Sequence, residues 1–177
     1  MEEHVVLVDH QDKELGTCEK LKAHKEGLLH RAFSVFIFNS EGKMLIHKRA
    51  QGKYHSEGLW TNACCSHPRQ NESLQDAVKR RLPEEMGISC DVKEAFSLLY
   101  HANVSKNLIE HEFDHVFIGT YDNDEIEPNP EEVAEYRWIA IGDLLEEMSA
   151  NPKSFTEWFH LAVPKVLSQA ANSVEHT

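Results

Sequence analysis

The chain has no basic run, and its 30 acidic against 18 basic side chains leave a net charge of −12 over 177 residues. That balance disfavours non-specific attraction to nucleic acid or to an anionic lipid surface, so an anionic ligand must meet a local cationic pocket or a metal ion. No apolar run approaches the ~18 residues of a membrane span. The opening MEEHVVLVDH carries acid where a secretory signal carries positive charge. A cytoplasmic protein with neither a membrane nor a nucleic-acid partner is expected. Cysteine is sparse: Cys18, Cys64, Cys65 and Cys90 have neither the density nor the spacing of a disulfide framework, and a bond between neighbours 64 and 65 would strain the backbone. No second pair of cysteine or histidine ligands follows at zinc-finger spacing. Repeats and low-complexity segments are also absent. The length suits one domain over 1–177, with a core at about 3–170 and a short disordered C-terminal tail.

HVVLVD reads as a strand and LGTCEK as a second extended piece. RAFSVFIF, NSEGK and MLIHKRA form a hairpin, with a polar, glycine-bearing turn between two apolar runs. From Ser73 the period becomes helical: Leu74, Ala77, Val78, Arg81 and Leu82 recur on one face up to Met86, with Gly87 as the stop. Pro83 inside that helix predicts a bend or a tightened last turn, because it removes an amide and crowds the Lys79 carbonyl. LIEHEFDHVFIGTYD alternates as a long strand that places Glu110, Glu112 and Asp114 on one face and His111 and His115 on the other. The acidic stretch NDEIEPNPEEVAE reads as a solvated connection. A strand in YRWIAI, a helix in GDLLEEMSA and an amphipathic C-terminal helix interrupted at Pro164 follow. This order predicts an α/β (α+β) sandwich with a mixed sheet flanked by helices.

The segment SHPRQNESLQDAVKRRLPEEMGI resembles the Nudix box, in which a glycine, a glutamate and an arginine lead into a carboxylate-rich helix closed by glycine. Glu72, Arg80, Leu82, Glu84, Glu85, Gly87 and Ile88 fall on matching positions. Ser66 stands for the first glycine and Arg81 for a glutamate. Carboxylates at one helix end suit magnesium, although glutamates facing arginines at helical spacing are more often a solvated surface. The stretches EKLKAH, LHRAFSVFIF, HKRAQGKYHSEGLWTNACCSHP and EHE extend the likeness over nearly the whole chain. With them the chain resembles type 1 isopentenyl-diphosphate Δ-isomerases, a family built on the Nudix fold.

That resemblance implies a metal site of His24, His30, His67, Glu110 and Glu112, taking manganese, zinc or magnesium. It also implies a magnesium ion at Glu85 and the backbone carbonyl of Cys65. Cys65, Glu112, Tyr100 and Trp158 are the implied catalytic residues, with Trp60 lining the same pocket. Lys20, Arg49, Lys53, Ser66 and Arg81 are the implied contacts to a small-molecule diphosphate. His4, His10, His55, His101, His111, His115, His160 and His176 are expected to be ordinary surface or core residues. His24 and His30 are expected on a connecting stretch, and Cys65 and His67 in one loop. The implied reaction moves the double bond of isopentenyl diphosphate to give dimethylallyl diphosphate. It requires a proton added at one carbon and removed at another, by two groups on opposite sides of the hydrocarbon. Arg81 in place of a metal-binding glutamate suggests holding a diphosphate rather than cutting it. Two alternatives are a Nudix hydrolase acting on a nucleoside diphosphate derivative and a non-catalytic metal-binding module. Either a monomer or a homodimer is compatible with the sequence.

Overall fold

A computed structural model describes residues 3–53, 55–105, 107–123 and 125–175, the last six for their backbone alone. His176, one of the histidines expected to be ordinary, lies outside the described residues.

The fold is built around β3 (His30–Phe38), whose apolar residues alternate between two cores. Phe33, Val35 and Ile37 face a core closed by Ala77, Val78, Leu82 and Met86 of α2 (Leu74–Met86). Phe36 faces an opposite core closed by Trp158, Phe159, Ala162, Val163 and Val166 of α4 (Glu157–Glu175), with Leu144 of α3 (Ile141–Ala150) beside them. This two-sided burial explains why β3 reads as nearly continuous apolar sequence, and the result is a helix–sheet–helix sandwich. The turn 39–43 links β3 to β4 (Met44–Arg49), but only Phe38 and Met44 pair across it. The expected hairpin therefore splays. β3 instead pairs in parallel with β8 (Leu108–Thr120), from His30 beside Glu112 to Phe38 beside Thr120. β4 pairs antiparallel with β9 (Val133–Ile139). With β1 (His4–Val8), β2 (Glu14–Glu19), β5 (Trp60–Thr61), β6 (Cys64–Ser66) and β7 (Val92–Ser105), these make a nine-stranded mixed sheet.

α2 starts where Ser73 accepts from the Asp76 amide at 3.1 Å and stops at Gly87, whose φ of 72° is left-handed. A side chain at Gly87 would also collide with the Glu127 carbonyl, so glycine is required there twice over. Pro83 does not tighten the last turn: the Gly87 amide reaches the Pro83 carbonyl at 2.9 Å, ordinary α-helical closure. Pro164 likewise lies inside a continuous α4, which runs to Glu175, beyond the expected core limit near residue 170. Besides the short strands β5 and β6, two longer elements were not expected. α1 (Lys20–Glu26), capped by the Glu19 carboxylate, replaces the connecting stretch, and β7 forms a long antiparallel partner for β8. The acidic stretch after β8 is only partly solvated, since Ile126 enters the α2 core and Glu132 pairs with Lys53 at 2.6 Å.

Candidate active site and metal centre

Three strands and α1 converge on the α4 face of the sheet. Strand alternation sends Glu110, Glu112 and Asp114 of β8 inward, all buried. The parallel register sets His30 beside Glu112, and the antiparallel one sets Tyr100 opposite it. His24 is fully buried on α1, which packs on β8. Its Nδ1 lies 2.8 Å from the Lys20 carbonyl and its Nε2 3.3 Å from Glu110 Oε1. His30 and His67 both direct Nε2 at Glu112 Oε2, at 3.1 and 2.9 Å.

Ligand atoms of His24, His30, His67 and Glu112 lie within 4.8 Å of one another. Such a mixed imidazole and carboxylate set fits a divalent ion of the manganese or zinc type. Burial pushes Glu110 and Glu112 up, but their imidazole partners outweigh it and hold both carboxyls below the usual range. Two adjacent buried carboxylates kept ionised are what a cation needs, and they are costly to bury without one.

The two neighbouring cysteines sit on β6 rather than in a loop, so they point to opposite faces. β6 pairs with β3 through Ser34 beside Cys65 and Val35 beside Cys64. Cys64 enters the α2 core, where its thiol meets Glu85 Oε2 at 2.5 Å. Cys65 faces α4 and a cavity lined also by Ser34, Arg49, Tyr100, Glu112 and Trp158. Its sulfur meets Asn62 Oδ1 at 3.1 Å as an acceptor for S–H, and the Trp158 Nε1–H at 3.0 Å as a donor to sulfur. Burial, and then the neighbouring Asp114, push the Cys65 thiol up. Tyr100 donates its hydroxyl to Glu112 Oε1, and burial beside these carboxylates pushes it well above its usual range. Arg49 follows a register shift after Lys48, and its guanidinium lies 5.4 Å from the Trp158 ring centre.

Ser66 and His67 line both this cavity and a second cleft, shared with Glu3, Arg69, Arg80 and Arg81. The Cys65 cavity and the cationic cleft are therefore adjacent. Arg81 reaches Glu84 at 2.7 Å, Glu85 at 3.0 Å and Glu132 at 3.6 Å. Lys53 is held by Glu132, and Lys20 by Glu3 at 2.6 Å. Glu85 is buried and raised by that burial, against the lowering effect of Arg81. It is therefore not a solvated helix face. A single buried carboxylate is the sparse kind of protein ligand magnesium takes when phosphate oxygens complete its shell.

Two expectations are corrected. Trp60 does not line the cavity; it packs beside the α4 core with Arg137 stacked 4.6 Å from its ring centre. His55 is not an ordinary histidine: it is buried, lines the cavity and brings Nε2 to 2.5 Å from Glu110 Oε1. Nothing local in the sequence marks it, because its partners are remote along the chain. Trp138 packs against the α2 core as ordinary filling. Among the described residues no helix is long and apolar enough to cross a membrane.

The NUDIX domain family matches residues 28–159. The isopentenyl-diphosphate Delta-isomerase of Burkholderia multivorans is 51% identical over 165 residues, 93% of each chain. That of Photobacterium profundum is 48% identical over 179 aligned positions, covering 98% of this chain and 97% of its own. Among solved structures, DR0079 from Deinococcus radiodurans aligns with a TM-score of 0.74 over 94% of this chain and 98% of its own. The Methanosarcina mazei MutT protein gives 0.56 over 67% and 81%. At 16% and 21% identity these two likenesses concern the fold alone. By its sequence relatives and its fold together, the chain belongs to the isopentenyl-diphosphate Delta-isomerase family of NUDIX proteins.

Proposed function

We propose that this protein converts isopentenyl diphosphate to dimethylallyl diphosphate by moving one proton on and another off the hydrocarbon. The observation that carries the reading is that the Cys65 sulfur, the Tyr100–Glu112 pair and Trp158 line one cavity beside a cationic cleft. A proton passes from the Tyr100–Glu112 pair to the terminal alkene carbon. Cys65, entering the step as the thiolate that the Trp158 N–H stabilises, takes one from the allylic carbon, and that proton returns to the pair before the next turnover. The sulfur is equipped for both protonation states, since Asn62 accepts its proton and the Trp158 N–H stabilises the thiolate. The intermediate is a tertiary carbocation. Trp158 offers it an aromatic surface, and the buried walls keep water from quenching it.

Lys20, Arg49, Lys53, Ser66 and Arg81 hold the diphosphate, Ser66 through its backbone amide. His24, His30, His67, Glu110 and Glu112 would hold a divalent ion, manganese or zinc, and Glu85 with the Cys65 carbonyl a magnesium ion. The ions supply positive charge that fixes carboxylates and phosphate oxygens in place. The reaction needs no nucleic acid or membrane partner, and we place it in the cytoplasm.

The test is incubation of the protein with isopentenyl diphosphate in deuterated water. Deuterium in dimethylallyl diphosphate without released phosphate is the expected outcome. Inorganic phosphate with no isomerised product would replace this reading with hydrolysis.

A further inference from the structure

His55 stands in the connection between β4 and β5, far along the chain from α1 and β8, yet its side chain is buried against both. Its ring centre is 5.5 Å from that of His24 and, edge to face, 5.8 Å from Trp158. Nδ1 lies 3.0 Å from Ser56 Oγ, which leaves Nε2 as the nitrogen turned toward the carboxylates, 2.5 Å from Glu110 Oε1. Ligand atoms of His24, His55 and Glu110 fall within 4.8 Å of one another, as do those of His24, His30, His67 and Glu112.

These two groups share His24. Because His24 Nδ1 is engaged by the Lys20 carbonyl, only Nε2 can ligate, and one nitrogen serves one ion. The groups are therefore two sides of a single place. Together they bring four imidazoles to two carboxylates, whose charges match a divalent cation. An imidazole suits such an ion better than it suits an apolar cavity wall, where its second nitrogen would have to be desolvated.

We propose that His55 is a further ligand of the divalent ion, closing the metal centre from the β4–β5 connection. The proposal rests on the reading that the histidine and glutamate cluster holds an ion at all. It has a mechanical consequence. The His55 carbonyl accepts from Arg49 Nη2 at 3.2 Å, and Lys53 lies two residues away. Filling the centre would then hold the connection that carries Lys53 and bonds to Arg49 at the end of β4, so metal and diphosphate binding are coupled.

The full chain loaded with Mn²⁺ supplies the test, through pulsed electron–nuclear spectroscopy that counts coupled imidazole nitrogens and chelator competition that gives affinity. Four coupled imidazoles are expected in the unaltered protein and three in His55→Ala, with Mn²⁺ affinity lowered roughly 10- to 100-fold. Added free imidazole should restore the fourth. His55→Gln separates ligation from mere support of Glu110, because its amide can still donate a hydrogen bond there but is a poor ligand. Three imidazoles in the unaltered protein, with His55→Gln binding Mn²⁺ normally, would overturn the His55 assignment and leave the metal reading intact. An unaltered protein that takes up no Mn²⁺ or Zn²⁺ would remove both. Counting on the unaltered chain needs no variant, so poor folding of a substitution cannot hide the answer.

Discussion

Cys64 and Cys65 share a peptide bond and almost nothing else. Cys64 is fully buried among the apolar residues of the α2 face, its thiol spent on Glu85, while Cys65 opens onto the cavity on the α4 face, under Trp158 and beside Ser34. One strand residue separates two chemistries. The α2 face carries a network of arginine, lysine and carboxylate in which charges already neutralise one another. The α4 face carries carboxylates answered mainly by imidazoles. The single sheet between them sets the Cys65 cavity apart from the network of arginine, lysine and carboxylate.

The sharpest way to break this comparison is to remove each thiol in turn. Cys65→Ala and Glu112→Gln should each lower isomerisation by about 10² or more. Cys65→Ala should keep its metal content. Cys64→Ala should instead cost roughly 1–3 kcal/mol of stability, because it leaves buried Glu85 without its thiol partner, and should retain most of its turnover. Equal losses of turnover in both cysteine variants would mean that the two faces are not chemically separate.

Stripping the divalent ion comes next in size. Because two buried carboxylates then lack their cation, chelation should lower the melting temperature. An ion present at about 100 times its dissociation constant contributes about 2.7 kcal/mol, which is roughly 5–10 °C for a chain of this length. Removing magnesium alone should leave the melting temperature nearly unchanged and weaken diphosphate binding. Differential scanning calorimetry with and without chelator checks both.

What could be read in advance was whatever local pattern dictates. β3, β4 and β8 show alternation or apolar runs, and α2 shows helical spacing between Ser73 and Gly87, so their positions follow from neighbouring residues. α1 is seven residues long and gains its order from the Glu19 cap and from packing His24 onto β8, neither of which is a local hydrophobic signal. β7 is half exposed and owes its extended form to pairing with β8. Of the site, Arg49, Cys65, Ser66, His67, Tyr100, Glu110, Glu112 and Trp158 line one cavity, whereas Lys20, Lys53, Arg81 and Glu85 are engaged with other side chains outside it. His55 and Glu132 escaped because their partners, Glu110 and Lys53, lie 55 and 79 residues away. The different environments of Cys64 and Cys65 were legible in principle, since reading that segment as a strand rather than a loop places them on opposite faces.

His47 tests the α2 face by pH. Burial, and then Arg49, hold its imidazole down at about 3, so it stays neutral in the folded protein. The unfolded chain takes up a proton near 6.5, so the folded state is favoured in full above that value and loses ground as pH falls from 6.5 toward 3. At pH 5.5 the loss is about 1.4 kcal/mol. His47→Gln should remove that much of the difference in unfolding free energy between pH 7.5 and 5.5. A variant whose stability falls as steeply as that of the unaltered protein would show that the slope belongs to the imidazoles of the α4 face.

The smallest effect concerns how the cations wait for substrate. Lys20 is held by Glu3, an exposed carboxylate that also feels Arg81 and His67. A diphosphate that draws on Lys20 must compete with this carboxylate. Glu3→Gln should therefore tighten binding rather than weaken it, by the 0.2–1 kcal/mol of an exposed ion pair, or roughly 1.4- to 5-fold in KM. Turnover should not change. The gain should fade as salt is raised, because exposed pairs are screened over about 10 Å at 0.1 M. A rise in KM would mean that Glu3 positions Lys20 for the substrate, and the cationic cleft would then be a prepared site rather than one guarded by its own acids.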